Sequence, residues 1–153
     1  MSICDQLMDG HVSYEMNAKA SPLDLDPAKI KKLDCSGFVQ YVLYNATSKS
    51  AFLKSGSWYQ NQWCIAQKLE KVAYSTANQS DGWLRLGYFP APKKGQYGHI
   101  WLILDGRTLE SHGGKGPNSR AWDTNVLKNS VTACYKVAQV FTQNRNINWR
   151  NVC

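Results

Sequence analysis

Residues His99 to His112, which read HIWLIL, DG, RTLESH, constrain the fold more than any other part of the chain. An Asp-Gly pair between two strand-like runs selects a two-residue type I′ turn, because both turn positions need positive φ and the twist of that turn suits the flanking strands. With Asp105 and Gly106 as the turn, Leu104 pairs with Arg107, and each outward step advances one residue along either strand. His99 then falls opposite His112. Such a pair shares one face with Cβ atoms about 4.5 to 5.5 Å apart, and alternation outward from the turn makes it a non-hydrogen-bonded pair, the closer kind.

Around this hairpin the chain reads as helices first and strands later. From Cys35 the apolar positions Phe38, Val39, Val42 and Leu43 fall at helical spacing, with Asp34 placed to cap the first turn. A second helix is predicted over WYQNQWCIAQKLEKVAY, residues 58–74, where Trp63, Ala66, Leu69, Val72 and Ala73 make one stripe. GYFPAPKKGQYG, residues 87–98, reads as a loop, and VTACYKVAQVFT near the end reads as a further strand. Early helices followed by strands in series imply an α+β fold with helices packed on a small antiparallel sheet, and not βαβ units. The length of 153 residues predicts one domain, 1–153.

The longest clean apolar run is IWLIL, so no membrane span is expected. The first twenty residues lack a basic start and an apolar stretch, so no ordinary secretory signal is expected. A net charge of +7 favours anionic partners such as nucleic acid, acidic lipid or an anionic wall polymer. The basic residues are scattered apart from KIKK and PKK, and there is no zinc-finger spacing, RNP-like segment or phosphate-binding Gly loop, so nucleic acid is not an expected partner. Five Cys is an odd number, which leaves at least one thiol unpaired in an oxidising compartment. Cys35 is the candidate. Cys4, Cys64, Cys134 and Cys153 allow three pairings between them; a bridge from Cys4 to Cys153 would join the chain ends, and four reduced thiols are the alternative.

Cys35 stands between an Asp and a Ser-Gly pair, at the lip of an apolar run and not within it. A thiol in the first turn of a helix feels the positive end of the backbone dipoles, and a nearby imidazole favours the thiolate further, so its pKa is expected to fall from ~8.5 toward roughly 3.5 to 7.5. With His99 as base and His112 orienting it, the set follows the logic of an activated nucleophile. Glu110 shares strand and face with His112 and is the alternative orienter; otherwise it reads as an exposed partner for surface cations. A zinc half-site competes for the His pair, but no second nearby Cys or ligand-spaced acid accompanies it, so no metal and no cofactor are expected. His11 has no evident partner.

DCSGFV, then GHIWLIL, then LESHGG, with the Tyr-containing HVSYEM before them, resembles the NlpC-type cysteine peptidases of bacterial cell walls over about Tyr14 to Gly114. The resemblance implies a papain-like core. It further implies that Cys35 attacks an amide carbonyl, that His99 takes and returns the proton, and that His112 orients His99. Tyr14 and Ser36 would lie near the oxyanion and substrate, with Ser36 and Asp34 also supporting the helix start and backbone N–H groups there holding the oxyanion. The implied substrate is a peptidoglycan stem peptide, typically cut between D-glutamate and the following diamino acid.

Neither a signal nor a wall-binding repeat is expected, and a chain of that kind resembles two subsets of that family: phage lysins, and amidase effectors that the type VI secretion system injects into a rival's periplasm. CSGFVQ and YGHI look more like the effectors. Such a protein would be made in the cytoplasm without a signal peptide, act in a target's periplasm and pair with a cognate immunity protein. A non-catalytic wall-binding module, or acyl transfer to an amine by the same site, are the alternatives.

Overall fold

The computed structural model describes residues 1–91, 93–94, 97–122, 131, 133–137 and 147–153. Helices α1 (Ile3–Leu7), α2 (Cys35–Ala46) and α3 (Ser57–Ala66) precede strands β1 (Arg85–Phe89), β2 (His99–Leu104), β3 (Arg107–His112), β4 (Gly116–Asn118) and β5 (Ala133–Lys136), and α4 (Trp149–Val152) follows. The strands form one antiparallel sheet in the order β4-β3-β2-β1-β5.

The central helix, α2, starts where its sequence says it should. The Asp34 carboxylate accepts from the Gly37 N–H at 2.6 Å, satisfying a donor that no helical carbonyl can reach. Phe38, Val39, Val42 and Leu43 are fully buried, and the helix packs on β2 and β3. At the far end the Thr47 hydroxyl bonds the Leu43 carbonyl, and positive φ at Ser48 and Lys49 turns the chain away. On β2, Ile100, Leu102 and Leu104 join the core beneath α2, whereas Trp101 and Ile103 join a second cluster with Ala77, Trp122 and Cys134 on the opposite face. Burial on both faces explains why this strand is apolar throughout and does not alternate.

The hairpin turns at Asp105 and Gly106, with φ of 49° and 79°, and pairs Leu104 with Arg107, Ile103 with Thr108 and Leu102 with Leu109, the predicted register. Its tip is anchored, since Asp105 accepts from the Gly82 N–H and from the Arg150 guanidinium of α4. Beyond Leu102 and Leu109 the recorded ladder stops. There β2 follows β1, with His99 opposite Phe89, and β3 follows β4, with His112 opposite Gly116. The paired residues run from the turn as far as Leu102 and Leu109, and His112 lies close enough to His99 for the two to interact electrostatically.

Two expectations are corrected. The second helix ends at Ala66 and not near residue 74, because the chain turns at Lys68, φ 55°, and runs extended beside β5: the Val72 N–H bonds the Cys134 carbonyl, and the Lys136 N–H bonds that of Glu70. Backbone pairing with the sheet thus overrides the helical stripe. The predicted loop from Gly87 instead begins inside β1, which lies between β2 and β5. Gly87 is a strand residue because the Trp101 indole lies over it, and a Cβ there would come within 2.5 Å of Trp101 Cε2. Of the predicted late strand, Ala133–Lys136 is seen, while Thr132 and residues 138–142 lie outside the described residues.

Cys4 and Cys153 form a disulfide, with Cα atoms 4.8 Å apart; Cys35, Cys64 and Cys134 are free and buried. No helix among the described residues is long and apolar enough to cross a membrane.

Candidate active site

Three segments converge on the start of α2. The Leu33 carbonyl accepts from the buried Ser111 hydroxyl of β3, which fixes the helix start against the sheet. Over the same turn runs the stretch holding Tyr14 to Ala20: the Asp34 N–H bonds the Ala18 carbonyl at 2.9 Å, and the Asn17 N–H bonds the Asp34 carboxylate at 3.0 Å. This strap lies so close that a Cβ on Gly37 would fall well under 3.0 Å from the Ala18 carbonyl oxygen. The Gly of the DCSG motif is therefore required by the approach of another backbone. On the third side Ser36 is a buried hub. Its hydroxyl donates to Asp34 at 3.0 Å and accepts from the Gly56 N–H at 2.9 Å, while its carbonyl accepts from Gln60 of α3 at 2.8 Å. With its side chain so occupied and 1% exposed, Ser36 supports the helix start and offers substrate no hydroxyl.

Cys35 is 9% exposed, and its sulfur meets the backbone N–H groups of Ile100, Ser36 and Cys35 itself. The contact with Ile100 sets the sulfur one peptide from His99. Burial pushes the thiol up to about 11 and the Asp34 carboxylate adds to this, outweighing those three N–H groups. The expected fall of this pKa is thus overturned: withdrawal from water counts for more here than the helix end does. Tyr14 lies nearby, raised to about 12 by burial and by the neighbouring Cys35, Asp34 and Tyr97. Its hydroxyl stays protonated at neutral pH, and its recorded contact is with the Met16 sulfur at 3.9 Å.

His99 is held on three sides. Its ring stacks on Trp101, centroids 5.4 Å apart and planes 17° from parallel, and lies 5.8 Å from the ring of Phe89. Its Nε2 is 2.9 Å from Glu110 Oε1. Glu110 is fully buried and is not the exposed residue that was the blander expectation. Burial works to raise its carboxyl, but hydrogen bonds from His99, Arg120 and Thr108 outweigh it and the group settles at about 2. An ionised carboxylate only accepts, so Nε2 is the donor in this bond, and Nδ1 has no hydrogen-bond partner among the described residues. Arg120 clamps the same carboxylate through Nη2 to Oε1 at 2.8 Å and Nε to Oε2 at 3.0 Å.

The structure therefore brings together Cys35, Tyr14, His99 and Glu110, with His112 near enough to His99 and Glu110 to interact with both electrostatically. The Nε2 of His112 is buried without a hydrogen-bond partner among the described residues, and burial lowers its pKa. His11 bonds Asp9 and the Pro27 carbonyl, away from these residues. Among the described residues no cluster of three or more His, Cys, Asp or Glu is arranged to hold a metal ion. Sequence reasoning missed Arg120 and Trp101. Trp101 had a signal, being two residues from His99 on the same strand face; Arg120 lies beyond β4, where no pattern in the sequence leads to it.

No protein-family model matches the chain, and no curated protein matches it. Among solved structures it is similar to an NLP/P60 family protein of Staphylococcus aureus, described as similar to lipoprotein, with 16% identity and a TM-score of 0.56 over 90% of this chain and 41% of that one. The fold is of the papain-like NlpC/P60 type. A second such structure, an NLPC/P60 family protein of Bacillus cereus, matches with 18% identity and a TM-score of 0.49 over 69% of this chain and 32% of that one. The chain thus spans less than half the length of either relative. Within this NlpC/P60 fold, the helix that begins at Cys35 packs on the strand that begins at His99.

Proposed function

We propose that the chain is a thiol-dependent peptidoglycan amidase, hydrolysing an amide bond of the wall stem peptide, with D-glutamate to diamino acid as the bond. The observation that carries this reading is the His99 Nε2 bond to the buried, ionised Glu110, at the strand end whose next backbone N–H meets the Cys35 sulfur. It leaves an imidazole nitrogen free to act as base beside a nucleophile.

The Cys35 thiol is protonated at rest. When an amide carbonyl is seated, the Sγ proton passes to His99 Nδ1, and sulfur bonds the carbonyl carbon. The developing imidazolium is stabilised by Glu110, and the oxyanion by N–H groups of the helix start, a contribution of about 2.7 to 4 kcal/mol per donor in related sites. Collapse breaks the C–N bond, the amine leaves with the proton from His99, and a thioester remains. Water then adds to the thioester with His99 again taking a proton, releasing the acid and restoring the thiol.

The finer reading is an antibacterial effector delivered by a type VI secretion system into a rival's periplasm, matched by an immunity protein that plugs the cleft at Cys35. The Cys4–Cys153 disulfide supports action in an oxidising compartment. Net charge +7 suits an anionic polymer. A phage-type lysin with the same chemistry would share both features. Purified sacculi incubated with the protein should yield cleaved stem peptides on muropeptide chromatography, and Cys35→Ala should abolish them. An unchanged muropeptide profile with wild-type protein, under both reducing and oxidising conditions, rejects the amidase.

A further inference from the structure

We propose that Arg120 is a positioning residue for His99, fixing through the Glu110 carboxylate which imidazole nitrogen carries the proton. The inference rests on the amidase reading for its kinetic consequence, but its geometry stands alone.

The Glu110 carboxylate would ordinarily rotate through a broad torsional well. Here two parallel N–H bonds from Arg120, at 2.8 and 3.0 Å, set its plane, and the same Oε1 that takes Nη2 also takes His99 Nε2 at 2.9 Å. Arg120 is itself fixed to β3. Its N–H bonds the Thr108 hydroxyl at 3.1 Å, and its carbonyl accepts from the Thr108 N–H at 2.8 Å. The restraint therefore runs from the backbone of β3 through Arg120 and Glu110 to one ring nitrogen. Trp101 and Phe89 hold the ring plane, and the Cys35 sulfur lies at the backbone of β2.

Charge makes the guanidinium more than a brace. Glu110 is fully buried, and a buried carboxylate without a compensating cation either takes up a proton or draws one onto its neighbour. In the first case Glu110 can donate to Nε2, which moves the ring proton to Nδ1. In the second, His99 becomes imidazolium. Both outcomes occupy the lone pair that would take the thiol proton. Lys in place of Arg keeps a charge but loses the paired geometry. The other titratable groups near this set are Cys35 on α2, His112 on β3 and Tyr14 on the strap.

The test uses Arg120→Lys and Arg120→Ala in protein with 15N-labelled imidazoles. At neutral pH the wild type should show His99 as the single tautomer protonated at Nε2. Arg120→Ala should show an imidazolium or a mixture of tautomers, with Arg120→Lys between. Where stem-peptide hydrolysis is measured, kcat should fall about 10²-fold in Arg120→Ala, the scale of lost base catalysis, with KM nearly unchanged. Because the Arg120 side chain is 28% exposed, millimolar methylguanidinium should enter the vacated space and restore both tautomer and rate. An Arg120→Ala protein that retains wild-type melting behaviour, the Nε2-protonated tautomer and full kcat overturns the proposal; if Arg120→Ala does not fold, a wild-type tautomer and kcat in Arg120→Lys do so. Absence of stem-peptide cleavage by wild type would reject the amidase reading alone, because the nitrogen spectra need no turnover.

Discussion

Replacing Gly37 with Ala tests whether the strap over the helix start is as close as the backbone places it. Gly to Ala inside a helix ordinarily stabilises by roughly 0.5 to 1 kcal/mol. At Gly37 the new methyl would meet the Ala18 carbonyl well under 3.0 Å away, with Asp34 Oδ1 and Lys19 Cα each at 3.2 Å. The nearest obstacle is backbone, so no side-chain rotation relieves it, and overpacking of this kind costs about 1 to 3 kcal/mol. Moving the strap also weakens the Ala18 and Asn17 bonds to Asp34, each contributing about 0.5 to 1.5 kcal/mol. The net loss is about 3 kcal/mol, which for a chain of this size lowers Tm by roughly 6 to 12 °C. Thermal and urea unfolding followed by circular dichroism would measure it, with Gly113→Ala as control because nothing lies within 4 Å of a Cβ there. Stem-peptide cleavage should fall with stability, since the strap carries Tyr14. A Gly37→Ala protein as stable as wild type would refute the argument that proximity, and not flexibility, requires this Gly.

Three further outcomes follow from the same site. Glu110 sits at about 2, below the ordinary carboxyl value of 4.5, so its stabilisation is present above pH 4.5 and is lost as pH falls toward 2. Urea titrations across that window should show Glu110→Gln flattening the acid limb by an amount on the order of 3 kcal/mol, while the Asp81–Arg85 pair keeps some of the slope. His112→Ala should retain most stem-peptide cleavage and Glu110→Ala should lose about 10² or more, the reverse order refuting Glu110 as orienter. Site-resolved alkylation of Cys35 by iodoacetamide should keep rising above pH 9, following a thiol near 11; a plateau near pH 6 would mean a resting thiolate.

What the sequence made legible was local. The Asp34 cap, the helix from Cys35 and the Asp105–Gly106 turn depend on a few adjacent residues and side-chain periodicity, and each formed as read. What it concealed was decided by distant partners. The hairpin register was right from the turn to Leu102 and Leu109, but it could not reveal that Glu110, and not His112, would take the hydrogen bond to His99. The Leu69 and Val72 stripe was real apolar patterning whose segment pairs with β5, a competitor more than 60 residues further along the chain and so invisible to any local window. Gly87 looked like a loop residue because the Trp101 indole that lies over it belongs to another strand. Arg120 left no trace because a clamp on a buried carboxylate needs only reach, not spacing.

On the amidase reading, the buried thiol explains why the proposed orienting group is charged. Transfer of the Cys35 proton creates two charges where there were none, in a place water barely reaches, and a neutral orienter would leave the imidazolium with only a dipole to face. A resident carboxylate supplies a full negative charge at 2.9 Å from Nε2. Alone, however, that carboxylate would favour the imidazolium before substrate arrives, filling the lone pair the reaction needs. Arg120 balances the carboxylate at rest without reaching the far nitrogen, so the site begins near neutrality and gains its ion pair only as the thiol loses its proton. Stabilisation is then directed at the charge-separated state, which is the condition for an interaction to accelerate a step and not merely tighten binding.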